Sequence, residues 1–395
     1  MFEQLSQLAT DPILGLMAEF RADQRNPKVD LGVGVYLDEH GRTPVMRAVK
    51  AAEARLLEGE DTKTYQSIAG APEYCQRMME MALGELLPSV SDRLVSLQAT
   101  GGCGALRLGA EVIQRARPGA TVWVSTPTWV NHIPLIGGAG LTLREYPYYD
   151  PATHAVNGSA MLDALEQAGP GDVVLLHACC HNPTGADLSP AHWDAIAELA
   201  LRRGFTPYVD MAYQGLGDGL AEDAYGVRKL AATVPEMLLA VSCSKNFGIY
   251  RERTGMLMLL SESTSHVAAV QSQAMAAARQ IWSMPPAHGA SVVSTILGDA
   301  ALRADWESEL AEVRQRILDM RALLADQLRD NSAGIDFSFI NRQKGMFSYL
   351  GISLEQVRAL RERYAVYMID STRVNIAGIT RANVGYLGES IRAVL

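Results

Sequence analysis

Two rhythms of apolar and polar positions alternate along this chain. Short apolar runs occur at Leu94–Leu97, Val122–Ser125, Val173–Ala178, Pro207–Asp210, Leu238–Ser242 and Gly255–Leu260. Runs of that length, apolar throughout rather than at every second position, predict strands buried on both faces. Between them lie stretches with apolar side chains at helical spacing: Leu106–Arg117, Met161–Gln167, Pro190–Arg203 and Val227–Thr233. Alternation of this kind predicts a three-layer α/β/α domain around a mostly parallel sheet, with ligands beyond the C-terminal ends of the strands. After Asp299 a helical pattern runs to about Asp330, with Leu310, Val313, Ile317 and Met320 on one face. It is expected to carry the chain towards a second, smaller domain with its own elements, such as Met346–Leu350 and Leu354–Tyr364. No internal repeat or low-complexity tract interrupts the pattern.

Trp129, Asn182, Asp210 and Lys245 all fall at or just past predicted strand ends, which points to one shared site. Lys245 follows the run Met237–Val241 and is ringed by small hydroxyl residues in Ser242-Cys243-Ser244-Lys245-Asn246. Partial burial there disfavours the ammonium and makes the amine a nucleophile able to form an imine. By itself the segment also fits a surface lysine in a serine-rich turn. Arg253 comes eight residues later (253 − 245), so one loop offers both an amine and a phosphate-binding guanidinium. Gly101-Gly102-Cys103-Gly104 precedes a helical stretch from Ala105, where backbone N–H groups and the helix N-terminus suit an anion. Asp210 at its strand end can bond a protonated pyridine nitrogen, or simply cap a helix. Tyr213 can donate to a ring oxygen or pack in the core. Together these are groups that pyridoxal phosphate requires, since its aldehyde and phosphate arm sit on adjacent ring carbons.

At this point the chain resembles the fold-type I, pyridoxal-phosphate-dependent aspartate/aromatic aminotransferases. The shared text includes Asp11-Pro12-Ile13-Leu14-Gly15-Leu16, Trp123-Val124-Ser125-Thr126-Pro127-Thr128-Trp129, His181-Asn182-Pro183-Thr184-Gly185, Ser244-Lys245-Asn246-Phe247-Gly248 and Arg373-Val374-Asn375. It extends over nearly the whole chain. The resemblance implies an N-terminal arm over 1–12, a large cofactor-binding domain over 45–312, and a small domain made of 13–44 with 313–395. It implies that Lys245 carries the cofactor, that Asp210 supports the pyridine nitrogen with His132 behind it, and that Tyr213 and Asn182 bond the ring oxygen. Trp129 is expected to stack on the ring. Ser242, Ser244, Arg253, Gly102, Cys103 and Tyr65 are expected around the phosphate, with Tyr65 coming from a partner subunit. Arg373, Gly34, Phe347, Trp129, Asn182 and, from across a homodimer interface, Arg279 are the implied substrate contacts. The bonds Thr126–Pro127 and Asn182–Pro183 are expected to be cis.

Composition fits this reading and excludes others. The chain has 395 residues, 48% of them hydrophobic and 20% charged, with net charge −9. That is ordinary globular usage, and without a basic block nucleic acid is not an expected partner. Met1–Asp11 has no apolar signal core, and runs such as Met256–Leu260 are far too short to cross a bilayer. The five cysteines, odd in number and without metal-ligand spacing, read as reduced thiols of a cytoplasmic protein, and no metal is expected.

Substrate choice is read from departures within the resemblance. Arg279 matches the arginine that takes a distal carboxylate. Leu37, Thr64 and Met284 stand where the aspartate-specific pattern has lysine, asparagine and asparagine, and Cys103 replaces a hydroxyl residue. A retained arginine with less polar neighbours favours an aromatic-amino-acid aminotransferase using 2-oxoglutarate, with narrow aspartate aminotransferase as the alternative. More distant readings are a lyase or decarboxylase on the same fold, or a non-catalytic ligand-sensing relative.

Overall fold

The computed structural model describes residues 1–8 and 11–395, so residues 9 and 10 of the expected arm over 1–12 lie outside the described residues. The chain divides into two compact units, Pro44–Gln315 and Met1–Thr43 with Arg316–Leu395.

The larger unit is built on a seven-stranded sheet, whose strands are β1 (Leu94–Thr100), β2 (Thr121–Thr126), β3 (Thr142–Pro147), β4 (Val173–His177), β5 (Thr206–Met211), β6 (Met237–Ser242) and β7 (Thr254–Leu260). Their order is β1-β7-β6-β5-β4-β2-β3. All pairings are parallel except those of β7, which runs antiparallel to β1 and to β6. Every residue of β4, β6 and β7 is buried, as expected of strands covered by helices on both faces.

Six of these strands coincide with apolar runs. The exception is β3, with the sequence Thr-Leu-Arg-Glu-Tyr-Pro, which lies at the sheet edge with most side chains exposed. An edge strand needs no apolar run, and its terminal Pro147 is tolerated there. A second difference concerns the glycine turn expected before Ala105. The helix begins at Gly101 itself and extends to Ala116, so the glycines form its first turn.

That helix is seated by one contact in particular. The Tyr208 hydroxyl, from β5, donates to the carbonyl of Leu106 at 2.9 Å, and a Cβ at Gly109 would lie 2.2 Å from it. Only glycine at 109 allows this approach. Leu97, Leu108, Val122, Leu175, Ala240 and Leu257 fill the core between helix and sheet. The helix N-terminus is thereby fixed beside the C-terminal ends of the parallel strands.

In the smaller unit, Val29–Asp30 pairs in parallel with Val366–Tyr367, and Phe347–Tyr349 pairs antiparallel with Arg373–Asn375. Helix Leu354–Tyr364 starts at a Ser353/Gln356 capping box, which explains why its bounds are legible in sequence. Arg321 is buried and donates to the carbonyls of Ile340, Lys344, Gly345 and Phe347 and to Ser348 Oγ. An arginine can be buried when its donors are this fully used. Among the described residues no helix is long and apolar enough to cross a membrane.

Candidate active site

Asp210, Ser242 and Lys245 lie at adjacent strand ends because β5 and β6 pair in parallel, with Asp210 opposite Ala240. Lys245 sits three residues beyond β6 and is partly accessible, with its Nζ 4.9 Å from the centre of the Tyr213 ring. The loop that carries it is pinned from below. Trp306 Nε1 donates to the carbonyl of Asn246 at 2.8 Å, and the Trp306 and Phe247 rings stack at 4.4 Å. Burial lowers the Lys245 pKa, aided by the Arg253 guanidinium and opposed by the charges of Asp210 and Cys103.

Asp210 is nearly buried, and its Oδ2 lies 3.1 Å from His132 Nε2. Burial alone would push this carboxyl up, but the His132 hydrogen bond, with the Lys245 ammonium beyond it, holds it below the usual carboxylate value. A carboxylate only accepts, so His132 donates from Nε2. Beyond it, Thr128 Oγ1 lies 2.7 Å from His132 Nδ1 and 3.1 Å from His177 Nε2, so one hydroxyl bridges the two rings. His177 and the neighbouring His181, whose rings lie 4.2 Å apart, are kept neutral by burial. Desolvation moves the His177 pKa down to about 3 and His181 well below its ordinary value. This chain behind Asp210 is longer than the single His132 expected from sequence.

A second cluster suits an anion. Gly101 has φ +71°, and a Cβ there would lie 2.7 Å from Arg253 Nη2. A Cβ at Gly102 would lie 3.1 Å from the Cβ of Ser242. Side chains at 101 and 102 would therefore fill the space at the start of the 16-residue helix, next to Arg253 and Ser242. Ser242 Oγ accepts from the Ser244 N–H at 3.2 Å, and Cys103 Sγ accepts from Asn131 Nδ2 at 3.9 Å. Trp129 packs edge-on against His132, ring centres 5.3 Å apart, and Asn182 is buried after β4.

The bonds Thr126–Pro127 and Asn182–Pro183 are both cis, as is Asn26–Pro27, which sequence did not single out. Tyr65 and Arg279 are exposed, and among the described residues neither bonds a member of these clusters. Arg373, Gly34 and Phe347 belong to the smaller unit. There Arg373 is buried, donates from Nη2 to the Gly32 carbonyl at 2.8 Å and lies 4.4 Å from the centre of the Phe347 ring. Phe347 also lies 3.2 Å from where a Gly34 Cβ would be.

The cysteines are all free. Cys179 and Cys180 place their sulfurs within 4.8 Å of an Asp223 carboxylate oxygen, a grouping that spacing does not reveal. Asp223 already accepts from the N–H groups of Gly215, Gly217 and Asp218, which ties it to that loop.

A primary amine, an ionised buried carboxylate, a phenol and an anion cradle match the aldehyde, pyridine nitrogen, ring oxygen and phosphate of pyridoxal phosphate. With this sheet order, they define a fold-type I enzyme that uses that cofactor. Residues 26–391 match the family model for aminotransferase class I and II, and the chain belongs to that family. It is 48% identical to the aspartate aminotransferase of Escherichia coli K12 over 396 aligned positions covering 100% of both chains. It is 47% identical to the aromatic-amino-acid aminotransferase of Paracoccus denitrificans, covering 99% of each. The aromatic-amino-acid aminotransferase of Burkholderia pseudomallei, solved covalently bound to pyridoxal phosphate, superposes with a TM-score of 0.97 at 41% identity over 100% of this chain and 99% of its own. The protein is thus a transaminase with pyridoxal phosphate as cofactor.

Proposed function

We propose that this enzyme moves the amino group of an aromatic L-amino acid to 2-oxoglutarate, and that Lys245 is its catalytic amine. The observation that carries the catalytic assignment is the convergence of Lys245, Asp210 and Tyr213 beside the anion cradle of Gly101, Gly102 and Arg253. When bound, pyridoxal phosphate supplies a conjugated electron sink for the amino group's carbon.

Lys245 Nζ would hold the cofactor at its aldehyde carbon, and the same amine would take the proton from the substrate α-carbon. Asp210 holds a proton on the pyridine nitrogen, and His132 with Thr128 and His177 keeps Asp210 ionised and oriented. Tyr213 and Asn182 hold the ring oxygen. Trp129 covers the ring. Arg253, Ser242, Ser244 and the N–H groups at Gly102 and Cys103 hold the phosphate. Arg373, steadied by the Gly32 carbonyl and Phe347, takes the substrate α-carboxylate, with Gly34 beside it.

Tyr65 and Arg279 act in the site of a second copy of the chain. Support comes from their exposure in a single chain, where Tyr65 is 86% exposed and the apolar Leu57 and Val130 are 85% and 71% exposed. Large apolar residues left open in this way suit a homodimer interface. The free cysteines support a cytoplasmic setting.

The aromatic reading rests on residue type: Leu37, Thr64 and Met284 stand where the resemblance gives aspartate-specific enzymes lysine, asparagine and asparagine. Aspartate aminotransferase is the second reading, favoured by retention of Arg279 and by the equally similar E. coli relative. Half-reactions of the holoenzyme with phenylalanine, tyrosine, aspartate and glutamate decide between them. Higher kcat/KM for the aromatic donors supports the first reading, and aspartate alone reacting supports the second.

A further inference from the structure

At the opposite end of the sheet from Lys245 lies a cleft of about 350 Å³, within the larger unit. It opens beside the N-terminal ends of β4, β5 and β6, the C-terminal end of β7 and the last turn of the helix Gly101–Ala116. Its volume is at the low end of ligand pockets, about 300–1,000 Å³, which suits one small molecule. Ile113, Leu238, Leu259 and Val270 give it apolar walls.

Three polar groups complete it. Arg117 caps the helix C-terminus, and its guanidinium is seated over Gly171, where a Cβ would lie 2.0 Å from Arg117 Cζ. Glu236 precedes β6. Both side chains are exposed, and among the described residues neither has an ion pair or side-chain hydrogen bond, not even with the other. Ser261 follows β7, is 2% exposed, and its Oγ has no hydrogen-bond partner. A buried hydroxyl without a protein partner is a place for an ordered water at the cleft wall.

We propose that this cleft is a second binding site, distinct from the catalytic one, for a free amino acid with an apolar side chain. An unpaired cation and an unpaired anion lining one apolar cleft are complementary to a zwitterion. The ligand carboxylate pairs with Arg117, its ammonium with Glu236, and its side chain meets the apolar walls. A phosphate ester or a fatty acid is disfavoured, because Glu236 repels a second negative charge and nothing in the cleft rewards a long chain. The inference does not depend on which amino donor the catalytic site prefers.

The test uses holoenzyme reduced with borohydride, so that the link between lysine and cofactor no longer exchanges with amino acids and turnover is silent. Binding of 4-fluoro-L-phenylalanine is followed by fluorine NMR for wild type, Arg117→Ala, Glu236→Gln and Val270→Trp. Saturable millimolar or tighter binding is expected in wild type, weakened about tenfold in each of the first two variants, as for loss of one charge-assisted contact. Val270→Trp, which fills the cleft, should abolish it. Arg117 and Glu236 are exposed, so their variants keep the core intact, and the unreduced forms should transaminate as wild type does. As a cross-check, 3-phenylpropionate, which lacks the ammonium, should not bind Glu236→Gln more weakly than wild type, because Glu236 only repels it. Absence of saturable binding, or equal binding in wild type and all variants, overturns the proposal, the latter by placing the ligand at the catalytic site.

Discussion

His132 Nε2 meets Asp210 Oδ2 at 3.1 Å, with the imidazole fully buried and the carboxylate 8% exposed. Burial pushes the carboxyl up, and the hydrogen bond is the first of the effects that reverse it. Replacing His132 with leucine removes that effect and leaves burial unopposed by it, so the Asp210 pKa rises. Asp210 must be ionised to hold a proton on the pyridine nitrogen. Activity supported by a lowered carboxyl pKa is lost as pH falls through that pKa, so the acid limb of kcat/KM should move to higher pH in His132→Leu. Hydrogen bonds to charged groups contribute about 1.5–3 kcal/mol, which predicts a ten- to hundredfold loss of kcat near neutrality. An unchanged acid limb would remove His132 from this role.

Lys245 offers a pH test in the apoprotein. Its pKa is lowered from 10.5, first by burial. Only the neutral amine attacks an aldehyde, so capture of pyridoxal phosphate should quicken as pH rises, with a midpoint below that of a free lysine. Asp210 raises this pKa and Arg253 lowers it. Asp210→Asn should therefore shift the midpoint down and Arg253→Gln should shift it up. Stopped-flow absorbance of apoprotein mixed with cofactor reads both, and shifts in the same direction for the two variants would contradict the electrostatic account.

The shared-site proposal predicts an asymmetry in subunit mixing. Lys245 and Asp210 face one site within one chain, whereas Tyr65 and Arg279 are assigned to a neighbour's site. Mixing Lys245→Ala with Arg279→Ala should regenerate one complete site per mixed dimer. Mixing Lys245→Ala with Asp210→Ala should regenerate none, because each chain then contributes a damaged site. Equal recovery in both mixtures, or a monomer at assay concentration by sedimentation, would refute the arrangement.

The strand ends were legible because β4, β6 and β7 are buried throughout and announce themselves as apolar runs. A residue just past such a run can be placed without knowing the sheet order. What lay outside sequence reasoning was the relay behind Asp210. Thr128 and His177 are 49 positions apart and meet because β2 pairs with β4, a register no local pattern encodes. Edge strand β3 was missed for the opposite reason, having too little buried surface to leave a pattern. In the smaller unit Met346–Leu350 and Leu354–Tyr364 were legible, as strand Phe347–Tyr349 and helix Leu354–Tyr364, while the strands Val29–Asp30, Val366–Tyr367 and Arg373–Asn375 are too short for any periodicity.

Specificity gives the sharpest test of the aromatic reading. Arg279 lies in the last turn of the helix Thr264–Ile281 and is exposed in the single chain. In the proposed site, Arg279→Leu removes the guanidinium assigned to a distal carboxylate and leaves Arg373 for the α-carboxylate. Loss of that charge-assisted contact should lower kcat/KM for aspartate, glutamate and 2-oxoglutarate by about ten- to a hundredfold. Phenylalanine and tyrosine have no distal carboxylate to lose, and an apolar residue at 279 offers their rings no buried charge to displace. Their half-reactions should change little or improve. Measuring the aspartate and phenylalanine half-reactions on wild type and variant separates the cases. An equal loss for both donors would make Arg279 a structural residue, and the retained arginine would then carry no argument for a dicarboxylate partner.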